Sequence, residues 1–98
     1  MHERLVVIIM EYAIALMEVQ SLAAAIEGLD VMLKSADVEL LTIERRLGGR
    51  LVSVVIKGSV SAVTAALEAG VVAASRLGNV VAKEVIPRPH SEILKFLN

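Results

Sequence analysis

The sequence predicts an α+β fold in which four strands and two helices follow the order β-α-β-β-α-β, with one four-stranded antiparallel sheet carrying both helices on one face. Three observations predict it. β-branched and aliphatic runs occupy residues 5–19, 38–46, 51–57 and 80–86. Alanine-rich segments of helical period follow the first and third of these runs. Gly48 and Gly49 join the middle two runs closely enough for a hairpin.

Taken in order, residues 5–19 read as a buried strand, or as two short strands meeting near Glu11 and Tyr12. Ser21 is placed to cap a helix. From Leu22 to Ala36 the apolar residues Leu22, Ala25, Ile26, Leu29, Met32 and Leu33 recur at helical spacing, while Glu27, Asp30 and Lys34 take the opposite face. Asp30 and Lys34 stand one turn apart as i, i+4 partners. "VELLTIERR" and "LVSVVIK" flank the glycine pair, and adjacent glycines supply the positive φ angles of a two-residue hairpin turn. Ser59 or Ser61 caps the second helix, whose stripe is Val63, Leu67, Gly70, Val71, Ala74 and Leu77, with Gly78 at its C′ position. "VVAKEVI" is the last strand, stopped by Pro87 and Pro89, and "SEILKFL" has the period of a short terminal helix capped by Ser91. This is the ferredoxin-like order of elements. The sheet face without helices then needs cover of its own.

The composition narrows the function. Ninety-eight residues with no stretch rich in Pro, Ser or Gly make one unit without a linker. Ten Lys and Arg against 11 Asp and Glu give a net charge of -1, which argues against nucleic acid or an anionic membrane as the main partner. The absence of cysteine removes thiolate metal sites and nucleophiles. The longest apolar run, residues 5–17, has Glu11 in its middle and falls short of the roughly 20 residues a bilayer requires. It also lacks the small-residue cleavage site of a secretory signal, so a cytoplasmic protein is expected. Hydrophobic residues make up 56% of the chain and the mean hydropathy is +0.72, above the roughly 45–50% apolar share of soluble domains. A domain this small cannot conceal that much in its own core, and an extensive protein interface is the expected destination.

The chemistry available is thin. His2 and His90 lie at opposite ends of the chain, and no Ser, His and Asp pattern has local support, so neither an enzyme nor a metal or cofactor site is expected. His90 follows "PRP" in a rigid bend and reads as a hydrogen-bonded or interface histidine. "RRLGGR" has neither the spacing nor the following helix of a phosphate-binding loop. One Phe, one Tyr and no Trp leave no stacking platform for RNA.

"AIALMEVQSLAAAIEGLDVMLKSADVELL", "LVSVVIKGSVSAVTAALEAG" and above all "EVIPRPHSEI" resemble the single-domain bacterial microcompartment (BMC) shell proteins, over about Ala13 to Leu97. The resemblance implies a BMC domain at residues 13–98, preceded by an N-terminal extension at residues 1–12. It implies a homohexameric tile that meets other tiles edge to edge in the shell of a microcompartment in the bacterial cytoplasm. Its partners would then be itself, other shell proteins, encapsulated enzymes, and small metabolites crossing a central pore. By the same resemblance the hairpin Arg46, Leu47, Gly48, Gly49 and Arg50 lines that pore, while Lys34, Asp37, Arg88 and His90 lie at the edge between hexamers. Glycines let several backbones approach an axis, and Arg46 or Arg50 repeated around it would favour anionic solutes.

Three features depart from the family's pattern. Ser21 stands where a glycine is usual. Val38 to Leu51 is one residue longer than the common form, so that either Arg45 or Arg46 takes the family's lysine position; a strand bulge or a longer loop would accommodate the insertion. The third is the apolar extension, in which Leu5 to Met10 is expected to continue or add a strand. The alternative function with the same element order is a trimeric ferredoxin-like regulatory or ligand-sensing module.

Overall fold

A computed structural model of the chain describes residues 12–97. The elements are β1 (Ala13–Val19), α1 (Leu22–Ser35), β2 (Val38–Arg46), β3 (Leu51–Gly58), α2 (Val60–Ser75), β4 (Val80–Ile86) and α3 (Ser91–Leu97). The segment Leu5 to Met10, expected as strand, lies outside the described residues.

The four strands form one sheet in the order β2-β3-β1-β4, antiparallel at every junction. β1 pairs with β3 along its whole length, from Ala13 opposite Gly58 to Val19 opposite Val52. Alternation then sorts the side chains. Ala13, Ala15, Met17 and Val19 point with Val52, Val54 and Ile56 toward the helices and are almost completely buried. Ile14 and Val55 point the other way, where Tyr12, Leu16, Leu41 and Leu97 pack around them. The terminal helix thus supplies part of the cover that the open face was expected to need.

α1 and α2 lie side by side on the sheet, and two glycines set their separation. A Cβ on Gly70 would fall 2.5 Å from both Cγ and Cε of Met32, and one on Gly28 would fall 3.0 Å from the Gly70 carbonyl. Close approach explains why the buried faces are mostly small residues, with Ala24, Ala25, Gly28 and Met32 on α1 and Val63, Ala66, Leu67, Gly70, Ala73 and Ala74 on α2. The face expected for α1 is therefore rotated. Ile26 and Leu33 were assigned to it by periodicity, yet they are 51% and 44% exposed, because the thin alanine and glycine side is the one that fits. Leu77, expected to close the α2 stripe, is 55% exposed beyond the helix end.

The caps follow the sequence in part. Ser21 Oγ accepts from the Ala24 N–H, and Ser59, not Ser61, does the same for Ala62, each at 3.1 Å. Gly78 does not adopt the left-handed conformation expected of a C′ glycine. It is small for another reason: a Cβ there would lie 2.8 Å from Cβ of Ser21, where the end of α2 meets the start of α1. Nor does Ser91 cap the terminal helix, since it is already the first helical residue. The Glu92 N–H donates instead to Nδ1 of His90 at 3.1 Å.

Replacing Gly70 by Ala is expected to cost about 1–3 kcal/mol through overpacking against Met32, lowering the melting temperature by about 5–15 °C. In a Met32→Ala background the same change should cost clearly less, because only the 3.1 Å approach to the Gly28 carbonyl remains and Ala favours helix over Gly. Thermal denaturation of the double-mutant cycle measures this, and strictly additive losses would reject the steric explanation.

Candidate functional site: a hairpin rim and a peripheral edge

The β2–β3 hairpin closes at Arg46 opposite Leu51, leaving four residues, Leu47 to Arg50, in the loop. The two-residue turn expected from the glycine pair does not form. Instead Leu47, Gly48 and Gly49 take positive φ values of 54°, 66° and 86° in succession. Glycine accepts such angles freely, whereas a side chain in this region costs roughly 1–2 kcal/mol. Arg50 stabilises the arrangement: its backbone N–H and its Nε–H both donate to the Leu47 carbonyl, at 3.3 and 2.9 Å. The bend leaves Leu47 66% exposed at the loop tip.

β2 also carries a bulge. Register between β2 and β3 shifts between Leu40 and Thr42, so Leu41 has no partner of its own. Because side chains alternate, one unpaired residue reverses the facing of everything after it. Leu40 shares the helix side with Ile56, and beyond the bulge Ile43 and Arg45 share it with Val54 and Val52. Glu44 and Arg46 come to the open face beside Ser53 and Leu51. There Arg46 Nη2 lies 3.4 Å from Glu44 Oε2, an exposed pair of low energy that nevertheless sets the local charge. Glu44 was not singled out from sequence, although its i, i+2 spacing from Arg46 on a strand is the signal that would have found it.

Lys34, Asp37, Arg88 and His90 occupy the opposite end of the sheet. The hairpin lies where β1 and β2 finish and β3 and β4 begin; these four lie where α1 and β4 finish and β2 begins. A seven-residue strand such as β1 separates the two groups by roughly 23 Å. All four are exposed. Lys34 Nζ donates to Asp30 Oδ2 at 2.8 Å, and this hydrogen bond, reinforced by the Asp30 charge, raises the amine above its ordinary value. Arg88 is held between Pro87 and the buried Pro89. Asp37 lines a shallow hollow with Tyr12, Glu39, Lys57 and Ser59, in which Lys57 Nζ sits 3.6 Å from Glu39 and 5.3 Å from the Tyr12 ring centroid. Among the described residues no group of three or more His, Asp or Glu side chains is placed to hold a metal ion. Among them too, no helix is long and apolar enough to cross a membrane.

Strand order and helix placement define a ferredoxin-like α+β domain. Within that class the chain belongs to the bacterial microcompartment family, for the BMC domain model matches residues 13–89. The chain is 47% identical over 85 residues to the bacterial microcompartment shell protein PduA of Citrobacter freundii, covering 87% of this chain and 90% of that one. It is 41% identical over 81 residues to the shell protein EutM of Salmonella typhimurium, covering 83% of each. It is 44% identical over 86 residues to the carboxysome shell protein CsoS1B of Hydrogenovibrio crunogenus, covering 85% and 88%. A crystal structure of a microcompartments protein from Desulfitobacterium hafniense DCB superposes with a TM-score of 0.76 at 35% identity, over 88% of this chain; the chain spans about half of that one, 46%. These relatives identify a structural protein rather than an enzyme. They also argue against the regulatory-module alternative.

Deletion of Leu41 is expected to restore regular alternation while leaving the hairpin and the facing of Glu44 and Arg46 unchanged. The loss should be confined to packing beside Ile14 and Val55, about 1–2 kcal/mol. A structure of the deletion variant checks this, and a shift of Arg46 to the helix side would show that the hairpin register does not fix the facing of the arginines.

Proposed function

We propose that the protein is a tile of a bacterial microcompartment shell: a homohexamer that joins its copies and other shell proteins edge to edge and carries a central pore for small anionic or polar metabolites. The observation that carries this reading is the separation of the two residue groups. A cyclic tile needs one end of each subunit at the axis and the other at the rim, and the Leu47–Arg50 hairpin and the Lys34, Asp37, Arg88 and His90 group lie at opposite ends of the sheet.

The flanks support the same reading. Ile26, Leu33 and Leu40 are exposed on the α1 and β2 side, and Val60, Val72 and Val81 on the α2 and β4 side. A ring closes by joining two different surfaces of each subunit, so apolar residues on both flanks are what such closure requires. The hydrophobic surplus of the sequence then has a destination. Lys34, charged and free of burial, suits a contact made by long side chains across an edge, with Arg88 and Asp37 as companions. Around the axis, Arg45, Arg46 and Arg50 against Glu44 leave each hairpin net positive, which favours anions. In this reading the shell lies in the bacterial cytoplasm, with encapsulated enzymes as further partners.

Two measurements test this. Lys34→Ala should leave a ring of unchanged native mass while sheets or tubes disappear in electron micrographs; loss of the ring itself would contradict the edge assignment. Replacing Arg46 and Arg50 by Gln should lower the anion-to-cation permeability ratio of the assembled protein without changing its assembly, and an unaltered ratio would reject the charged rim.

A further inference from the structure

Beside the hairpin, Gln20, Leu47 and Arg50 line a shallow hollow in which three different chemistries meet. The Arg50 guanidinium is fixed by its own Nε–H on the Leu47 carbonyl at 2.9 Å. Among the described residues no carboxylate pairs with it, and the residue is exposed. Gln20 is held by its neighbour at two points: its N–H donates to the Asn79 carbonyl at 3.0 Å, and its Oε1 accepts from Asn79 Nδ2 at 3.4 Å. Among the described residues the Gln20 amide nitrogen then has no acceptor. Leu47 stays left-handed at φ 54°, where Gly or Asn would be relaxed, and presents an exposed branched side chain.

We propose that this hollow binds a small monocarboxylate carrying a short apolar tail. The carboxylate meets the terminal amino groups of Arg50 and the Gln20 amide, and the tail lies against Leu47. The planar pair of N–H donors on a guanidinium matches a carboxylate in a bidentate manner. A guanidinium already immobilised by its Nε–H gives up little further freedom on binding. Backbone strain retained at a leucine is accounted for when the leucine side chain itself is used. A phosphate would occupy Arg50 without using Leu47, and a cation would be repelled. The proposal rests on the pore-rim reading only for the place of the hollow in a tile; binding is a property of the loop.

The test is calorimetric and saturation-transfer titration of the full-length protein with butyrate, acetate, inorganic phosphate and butylammonium. Butyrate should bind about three- to tenfold more tightly than acetate, as expected for partial burial of two methylenes, and more tightly than phosphate. Butylammonium should not bind. Arg50→Gln should weaken butyrate about tenfold or more, the loss of a charge-assisted hydrogen bond. Leu47→Asn, which suits the left-handed backbone, should keep anion binding and erase the preference for butyrate over acetate. Phosphate equal to butyrate, butyrate indifferent to Arg50→Gln, or no butyrate binding would each overturn the proposal. Native mass spectrometry on the same samples separates the two readings. Butyrate binding by a chain that forms no ring would refute the rim and leave the hollow standing, while rings that ignore butyrate would do the reverse.

Discussion

The two ends of this protein are defined by the pairing of β1. Hydrogen-bonded to β3 on one side and β4 on the other, it fixes which end of every element meets which. Its alternate residues Ala13, Ala15, Met17 and Val19 are buried under the helices, and a slip of one residue would turn all four outward. That penalty makes the register stiff. The hairpin at one end and the Lys34 and Arg88 group at the other inherit their positions from it.

The helices obey a second constraint, close contact. Gly28 and Gly70 bring α1 and α2 within reach of each other's backbones, and Met32 fills the space beside them. Small residues on the inner faces leave the larger Ile26, Leu33 and Val72 outside. The arrangement leaves apolar side chains on both flanks, which suits the shell role that defines the family. Family membership and the exposed flanks thus express one physical fact: too much apolar surface for a single small domain.

At the hairpin, strain and charge are managed together. Three successive left-handed residues would be unstable unless held, and Arg50 holds them by donating twice to one carbonyl. The same contact immobilises its charge. Arg46 is paired with Glu44 instead, so the arginines that look equivalent in "ERRLGGRLV" differ in freedom and in facing. Arg45 shares the helix side with Val52, as the alternation of neighbouring strand residues requires.

Much of this was legible beforehand. Period-2 and period-3.6 patterns determined the order of elements, and Ser21 and the pair Ser59 and Ser61 marked the two helix starts, because these signals act between residues a few positions apart. The family resemblance carried by "EVIPRPHSEI" pointed to the shell-protein class. Other signals misled for a local reason: the glycine pair suggested a two-residue turn, and Ile26 looked like core. Only the folded chain decided that α1 buries its thinner face, that Gly78 is small for the sake of Ser21, and that His90 caps the terminal helix. It also decided which arginine faces which way. Those outcomes depend on partners tens of residues away, whose approach no local pattern encodes: a helix face is chosen by what it must fit against, and a bulge appears only when two strands are laid side by side.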